Sequence, residues 1–455
     1  MLFAALVAGS YLRFTNLGAL EMSADEGASW AAASAPTIAE VIARQARLNP
    51  GKLPIHDLML HGWIALFGSS MPAMRAMSAL LGVVSILLVY FVSRELFASA
   101  LSSDDVKIVA ALAALVFAVN LVTIKYSREA RMYSLMLAAI LAQLAMFLRA
   151  FRVGGLANYV AVAILTALAV GSHFAVVLIP ATEGLWLAYT VARARLRLTD
   201  QTVRRGFALA IALAAGGCVL APKLFSAFRA TAAATTGGII RWIKPPPFYA
   251  PLALFNKATG SFAFPVLAAL AIWGAVRGWR RGARDAVTFA MLWMWLPPLI
   301  MVAASYAFTP VFVERYALSC FVPFFIFTAV GIYELPGDLV RISALMLAIA
   351  FSVGHIVSYE RKPHDSQYRE AIAAADAALK PGETMTVVPS YAIDVLRYYL
   401  PVDHRERAVG YDPSKSNAAV LIFGDENLAS RIAESYKKEY PQTVARLRGV
   451  TVVRK

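Results

Sequence analysis

The chain has 455 residues, 59% of them hydrophobic and 16% charged, and its mean hydropathy is +0.62. A soluble domain carries about 25% charged residues, so a water-soluble globule is excluded and a polytopic helical membrane protein is indicated. The net charge of +15 would first suggest nucleic acid. The arginines, however, fall in short clusters between apolar runs, which marks cytoplasmic loops, and no nucleic-acid partner is expected.

The chain opens MLFAALVAGSYLRF. It lacks a basic n-region and a small-residue cleavage site, so a cleaved leader is not expected. A first span is predicted over residues 2–20. A loop over 21–30 follows, carrying the adjacent carboxylates Asp25 and Glu26. Pro36 and Thr37 open an amphipathic stretch to Arg44, predicted to lie as a short helix on the membrane surface. Residues 49–54 form a turn-rich break. Residues 55–67 are apolar but too short to cross a bilayer. With His56, Asp57 and His61 they read as a second interfacial or re-entrant helix.

Further spans are predicted over 72–91 and 108–124, then in a run returning to Arg149 and Arg152. The next cover 159–170 and a run returning to the cluster Arg193, Arg195, Arg197, Arg204 and Arg205. The last are 207–221, 262–276, 287–308, 316–332 and 342–357, with Pro297 and Pro298 expected to kink the third of these. The total is about eleven spans. Alternate loops carry the arginine clusters and are assigned to the cytoplasm. The Asp25 stretch, residues 125–133, the run Pro245-Pro246-Pro247, Arg315 and the C-terminal tail then fall on the outer side. From Tyr359 the composition becomes that of a soluble domain. Strand-like runs at 384–388, 419–423 and 450–453 alternate with helical runs at 367–379, 391–400 and 427–436, predicting a small α/β domain with a largely parallel sheet. Cys218 and Cys320 sit in apolar runs without metal spacing and read as small core residues, not a disulfide.

Two clusters could carry chemistry. Asp25 and Glu26 stand at membrane depth among small residues and Trp30, where ionisable groups are costly. A carboxylate there could take a proton from an acceptor hydroxyl. The plainer alternative is two solvated charges. Lys125, Arg128, Glu129 and Arg131 put three cations in seven residues. On a helix Arg128 and Arg131 would share a face and could stabilise a departing phosphate, or else snorkel to headgroups. His56 and His61, five apart, do not converge well as metal ligands. His173, alone at a span end, reads as interfacial or core. Arg75 and Arg315 each stand near an outer span end, within reach of a phosphate.

At these residues the chain resembles the GT-C glycosyltransferase superfamily, and within it the bacterial branch related to protein O-mannosyltransferases and to lipid A aminoarabinose and galacturonic acid transferases. The resemblance rests on Asp25-Glu26, NPGKLPIHDLMLHGW at 49–63, YSREARMY at 126–133 and ERYALSCFVP at 314–323. The tail YREAIAAADAALKPGETMTVVPSYAIDVLRYYL is similar to the outer domain of these proteins.

The resemblance implies a GT-C-like α-helical membrane domain over 1–358 and a small α/β extramembrane domain over 359–455. It implies a polyprenyl-phosphate sugar donor and inverting transfer to a hydroxyl of a lipid, glycan or protein. The transfer would occur on the outer, periplasmic face of a bacterial inner membrane. Asp25 would be the base, with Glu26 and Glu129 orienting the sugar or the cations. Arg128 and Arg131, with Arg75, Arg315 and Lys125, would contact the phosphate. Two departures stand out: Lys52-Leu53-Pro54 replaces a double proline, and His56-Asp57 replaces a more apolar pair. Lys52 would then meet the donor phosphate, or mark a different acceptor. Some relatives bind a divalent metal and others none; Glu26, His56 and Glu129 are the candidate ligands. The competing function is a transporter or flippase that moves a lipid-linked sugar without bond cleavage. A third is a catalytically idle assembly partner.

Overall fold

The computed structural model describes residues 1–49, 52–194, 199–236, 243–361, 367–411, 418–424 and 439–455. The helix expected over 427–436 lies outside them, as do Arg195 and Arg197. The chain divides into two compact units. One comprises Met1–Thr15, Asn49–His56 and Arg75–Arg361, the other Asn16–Leu48, Asp57–Met74 and Lys362–Lys455.

The first unit is helical. Among the described residues, six helices are long and apolar enough to cross a membrane: Met71–Phe97, Tyr133–Val153, Phe174–Arg193, Arg284–Ala307, Glu314–Tyr333 and Asp338–Glu360. Counting as single spans two pairs bent by 64° and 109° brings the number to eight. The expected eleven is not confirmed among the described residues, where several apolar runs fold as short or broken helices. Leu2–Phe14, Ile55–Phe67 and Leu156–Ser172 are of the short kind. The first span, expected to reach residue 20, ends at Phe14, and Asn16 turns the chain in the left-handed region at φ 59°. The expected span over 108–124 is the pair Ser103–Ala118 and Leu121–Ser127. Arg284–Ala307 runs on through Pro297 and Pro298. Cys320 is buried as expected, but Cys218 is exposed, on a helix face turned away from the core.

Polar groups satisfy the backbone where helices break. Arg13, fully buried, donates to the carbonyl of Ala118 at 2.8 Å and to Thr123 Oγ1 at 3.0 Å. It thereby ties the first helix to the C-terminal end of Ser103–Ala118, where a cation opposes the helix dipole. Across the same break Asn120 caps Leu121–Ser127 and donates from Nδ2 to the Ala258 carbonyl at 2.9 Å. Deeper in the bundle, Gln143 donates to Glu183 at 2.9 Å and faces Thr166 at 3.4 Å. Three helices are thus linked by side chains that lipid could not satisfy. Phe264–Arg280 and Phe321–Tyr333 cross at small residues. A Cβ at Gly274 would collide with the Phe327 carbonyl oxygen, and one at Gly331 with that of Leu270. Only glycine permits this backbone approach.

The second unit holds a four-stranded sheet: β1 (Met385–Val388), β2 (Val420–Gly424), β3 (Gln442–Leu447) and β4 (Val450–Arg454), in the order β1-β2-β4-β3. Only β1 and β2 pair in parallel; β2–β4 and β3–β4 are antiparallel. The sheet is therefore mixed, not largely parallel. The difference comes from β3, a mostly exposed edge strand whose Val444, Ala445 and Leu447 are interrupted by Arg446, joined to β4 through Gly449 at φ 71°. The helix Tyr368–Ala378 packs Ala371, Ile372 and Ala375 with Met385, Val387, Ile422, Val450 and Val452. Glu21 accepts the Tyr368 backbone N–H at 2.6 Å and that of Arg369 at 3.3 Å, closing the start of this helix. Helices Ala24–Ala33, Ile38–Leu48 and Ile55–Phe67 precede the sheet in the chain. The middle one buries Val41 and Gln45 and exposes Ile38 and Ile42, the two-faced pattern of an interfacial helix.

Candidate functional site

The stretch around Asp25 is not the expected loop. Ser23 caps a helix, Ala24–Ala33, and both carboxylates stand in its first turn. The Ser23 hydroxyl accepts from the Glu26 backbone N–H at 3.3 Å, and Glu26 Oε2 accepts from the Ser23 N–H at 3.0 Å. This is a reciprocal capping box, and Glu26 is buried by it. The neighbouring Asp25 stays half-buried. Both carboxylates complement the positive end of the helix dipole, and Glu26 closes the turn.

The YSREARMY segment also departs from expectation. The helix Leu121–Ser127 stops with Arg128 as its C-cap, and the next begins at Tyr133. Residues 128–132 are turn, so Arg128 and Arg131 do not share a helix face. Arg128 is occupied within the architecture of the first unit. Its Nε donates to the Leu12 carbonyl at 2.9 Å and its guanidinium pairs with Glu360 at 2.7 Å. Lys125 lies over the rings of Tyr126 and Tyr359, 5.3 and 6.0 Å from their centroids.

Arg131 instead belongs to a buried polar cluster centred on His173. The charges of Lys52, Arg131 and Arg315 all bear on the His173 ring. That ring packs against Tyr316 at 4.3 Å and Phe174 at 4.7 Å. The Ala175 backbone N–H donates to His173 Nδ1 at 3.2 Å, which fixes the neutral tautomer with its proton on Nε2. Arg315 lies over the Tyr133 ring, 5.5 Å from its centroid, and Tyr133 packs edge-on to Tyr126 at 5.4 Å. The charges of Glu129 and Glu314 bear on Tyr126, and Lys257 pairs with Glu314 at 2.6 Å.

The charges of three candidate cations, from residues far apart in sequence, thus bear on one histidine, while Arg128 is held by Leu12 and Glu360. His56 and Arg75 are buried in the first turns of Ile55–Phe67 and Met71–Phe97. His61, on the former helix, donates from Nδ1 to the Ala33 carbonyl at 2.8 Å. Among the described residues no three His, Cys, Asp or Glu side chains cluster as a metal site. Sequence reading set His173 aside because a lone histidine carries no spacing. Tyr316, tilted against the His173 ring, stands beside Arg315 in the sequence.

A protein-family model described as dolichyl-phosphate-mannose-protein mannosyltransferase matches residues 50–220. The match takes in Lys52, Arg131 and His173 but not Asp25 or Arg315. No curated protein matches the sequence significantly. Among solved structures, ArnT from Cupriavidus metallidurans bound to undecaprenyl phosphate superposes with a TM-score of 0.66 at 14% identity, over 99% of this chain and 97% of that one. The archaeal oligosaccharyltransferase AglB from Archaeoglobus fulgidus, in complex with an inhibitory peptide and a dolichol-phosphate, gives 0.58 at 12% identity, over 94% and 69% of the two chains. At these identities the structural matches speak for the fold. Fold and family model agree with the resemblance drawn from the sequence.

Proposed function

We propose that this GT-C glycosyltransferase takes its sugar from a polyprenyl-phosphate donor and passes it, with inversion, to a hydroxyl of a lipid, glycan or protein. The observation that carries the reading is the convergence of Lys52, Arg131 and Arg315 on the neutral His173. A buried cationic cluster with ring walls suits an anionic leaving group in a site shielded from water. The solved ArnT carries undecaprenyl phosphate and the solved AglB a dolichol-phosphate, which supports a lipid phosphate as the donor's leaving part.

In this reading Asp25 accepts the proton of the acceptor hydroxyl as that oxygen bonds to the anomeric carbon. The bond from the anomeric carbon to the phosphate oxygen breaks on the opposite side. Its electron pair remains on the lipid phosphate, whose charge Lys52, Arg131 and Arg315 stabilise. No proton need be supplied to the leaving group, because a phosphate ester oxygen so neutralised departs as the anion. Arg75 and His56 are assigned to donor binding, Glu129 to orienting the cations, and Glu26, Lys125 and Arg128 to supporting the structure around them. The membrane is the bacterial inner membrane and the reacting face the periplasmic one, on the strength of the arginine-rich alternate loops.

The test is single-turnover transfer from a short-chain polyprenyl-phosphate sugar by purified wild-type and Asp25→Asn protein. Loss of transfer in a variant that melts like wild type is the expected result. Wild-type turnover by Asp25→Asn would remove Asp25 from the mechanism. Movement of the intact donor between liposome leaflets without cleavage would instead favour a flippase.

A further inference from the structure

The second unit carries a cavity of about 240 Å³ that the proposed chemistry does not use. It is lined by Trp30 and Ser34 at the end of Ala24–Ala33, by His61 and Ile64 on Ile55–Phe67, by Ser69, and by Arg405 on the turn Val402–Arg407. No carboxylate is among its lining residues. Its volume falls below the ~300 Å³ at which sites for whole drug-sized ligands begin, so it suits a headgroup better than a whole substrate.

Arg405 is the notable member. Its guanidinium lies 5.1 Å from the centroid of the Trp30 ring, which is itself buried and edge-on to Tyr398 at 5.2 Å. Its Nε is shielded from solvent and makes no hydrogen bond. The basic side chains beside it on the same turn are partnered: His404 Nδ1 donates to Asp376 at 2.8 Å, and Arg407 lies 3.8 Å from the same carboxylate. Among the described residues Arg405 has no such partner. Stacking on an indole orients a guanidinium but leaves its charge and its planar fork of donors available to an anion. The C-terminal end of the helix, next to the residues that line the cavity, is apolar and open, with Leu66 77% and Phe67 58% exposed. A cationic pocket beside an exposed apolar edge matches an amphiphile rather than a free ion.

We propose that this cavity binds the phosphate headgroup of an anionic membrane lipid. Arg405 supplies the charge, Ser34 and Ser69 supply hydroxyl donors, and the acyl chains run over Leu66 and Phe67. The site is independent of the transfer chemistry and of Asp25.

The experiment is native mass spectrometry of the purified full chain in neutral detergent, offered phosphatidylglycerol and phosphatidylcholine with matched acyl chains. Wild type is expected to retain the anionic lipid about tenfold better, as a charge-assisted hydrogen bond would give. Arg405→Gln should lose that preference. Arg405→Lys should keep part of it, since an ammonium holds the charge without the fork. Thermal melts report whether each variant is folded, and the wild-type comparison and Arg405→Lys stand even if Arg405→Gln is not. Equal retention of the two lipids by wild type, or an undiminished preference in both folded variants, overturns the proposal. Inorganic phosphate in large excess should leave the lipid bound. Its displacement by phosphate alone would make this a bare anion pocket and overturn the lipid assignment.

Discussion

The first turn of Ala24–Ala33 and the segment 125–133 pose the same puzzle and resolve it the same way. Each presents like charges close together in sequence, Asp25 with Glu26 and Arg128 with Arg131. In each, one residue is consumed by the architecture: Glu26 closes a capping box, and Arg128 bonds the Leu12 carbonyl and Glu360. The other is the member proposed for the chemistry: Asp25, half-buried, and Arg131, whose charge bears on the His173 ring. Proximity in a motif thus says little about shared role. What separates the members is which backbone group or counter-charge each side chain meets.

This division can be broken by exchanging the members' effects. The largest effect is expected at Asp25→Asn, with transfer falling about 10³-fold, the scale of a lost general base, and no change in melting temperature. Glu26→Ala should do the reverse, losing about 1 kcal/mol of stability with its capping bonds while transfer largely survives in the folded fraction. If single-turnover rates and thermal melts gave the two variants the same profile, the distinction would fail. Arg131→Gln comes next, with an expected loss of about 10²-fold in turnover from missing charge stabilisation. Arg128→Gln should instead cost about 2 kcal/mol through its lost charged hydrogen bonds, visible in detergent-dependent unfolding and sparing the rate per folded molecule.

The smallest expected effect sharpens the comparison from a third carboxylate. Glu21 is held above its ordinary value of 4.5, first by burial and then by the nearby Glu370, with the backbone N–H groups of Arg369 and Tyr368 pulling the other way. The folded state therefore holds this proton more tightly than the unfolded chain. Its contribution to stability is present below the ordinary value and is lost as pH rises through the raised one. Replacing Glu21 by Gln should flatten the fall in melting temperature on the alkaline side of the usual carboxylate range, by a few degrees at most. A pH series of thermal melts on the two proteins measures it.

Much of this was legible in advance where a periodic signal existed. The apolar run over 55–67, too short to cross a bilayer, returned the helix Ile55–Phe67 with its expected ends, and the strand-like run at 419–423 returned β2 one residue further on. Signals failed where tertiary partners decide. Nothing local announces that the chain breaks after Ala118, because that break is stabilised by Asn120 and Arg13 bonding to distant carbonyls. Nor does any spacing announce His173, whose cationic neighbours come from residues 52, 131 and 315. The Glu26 capping box was written in Ser23-Ala24-Asp25-Glu26, a Ser followed three residues later by Glu. Reading the stretch as a loop concealed it.

Arg13 carries a consequence for how the protein is made. Its guanidinium finds the Ala118 carbonyl 105 residues further along the chain. Until that stretch has been synthesised and has entered the bilayer, the helix Leu2–Phe14 bears an uncompensated charge in its last turn, where insertion costs less than the about 2.5–3.5 kcal/mol of a helix centre. The N-terminal helix is therefore expected to wait at the translocon or the membrane surface. It would take its final place only once the segment from Ser103 to Ser127 arrives, so this helix would be seated after a segment that follows it in the chain.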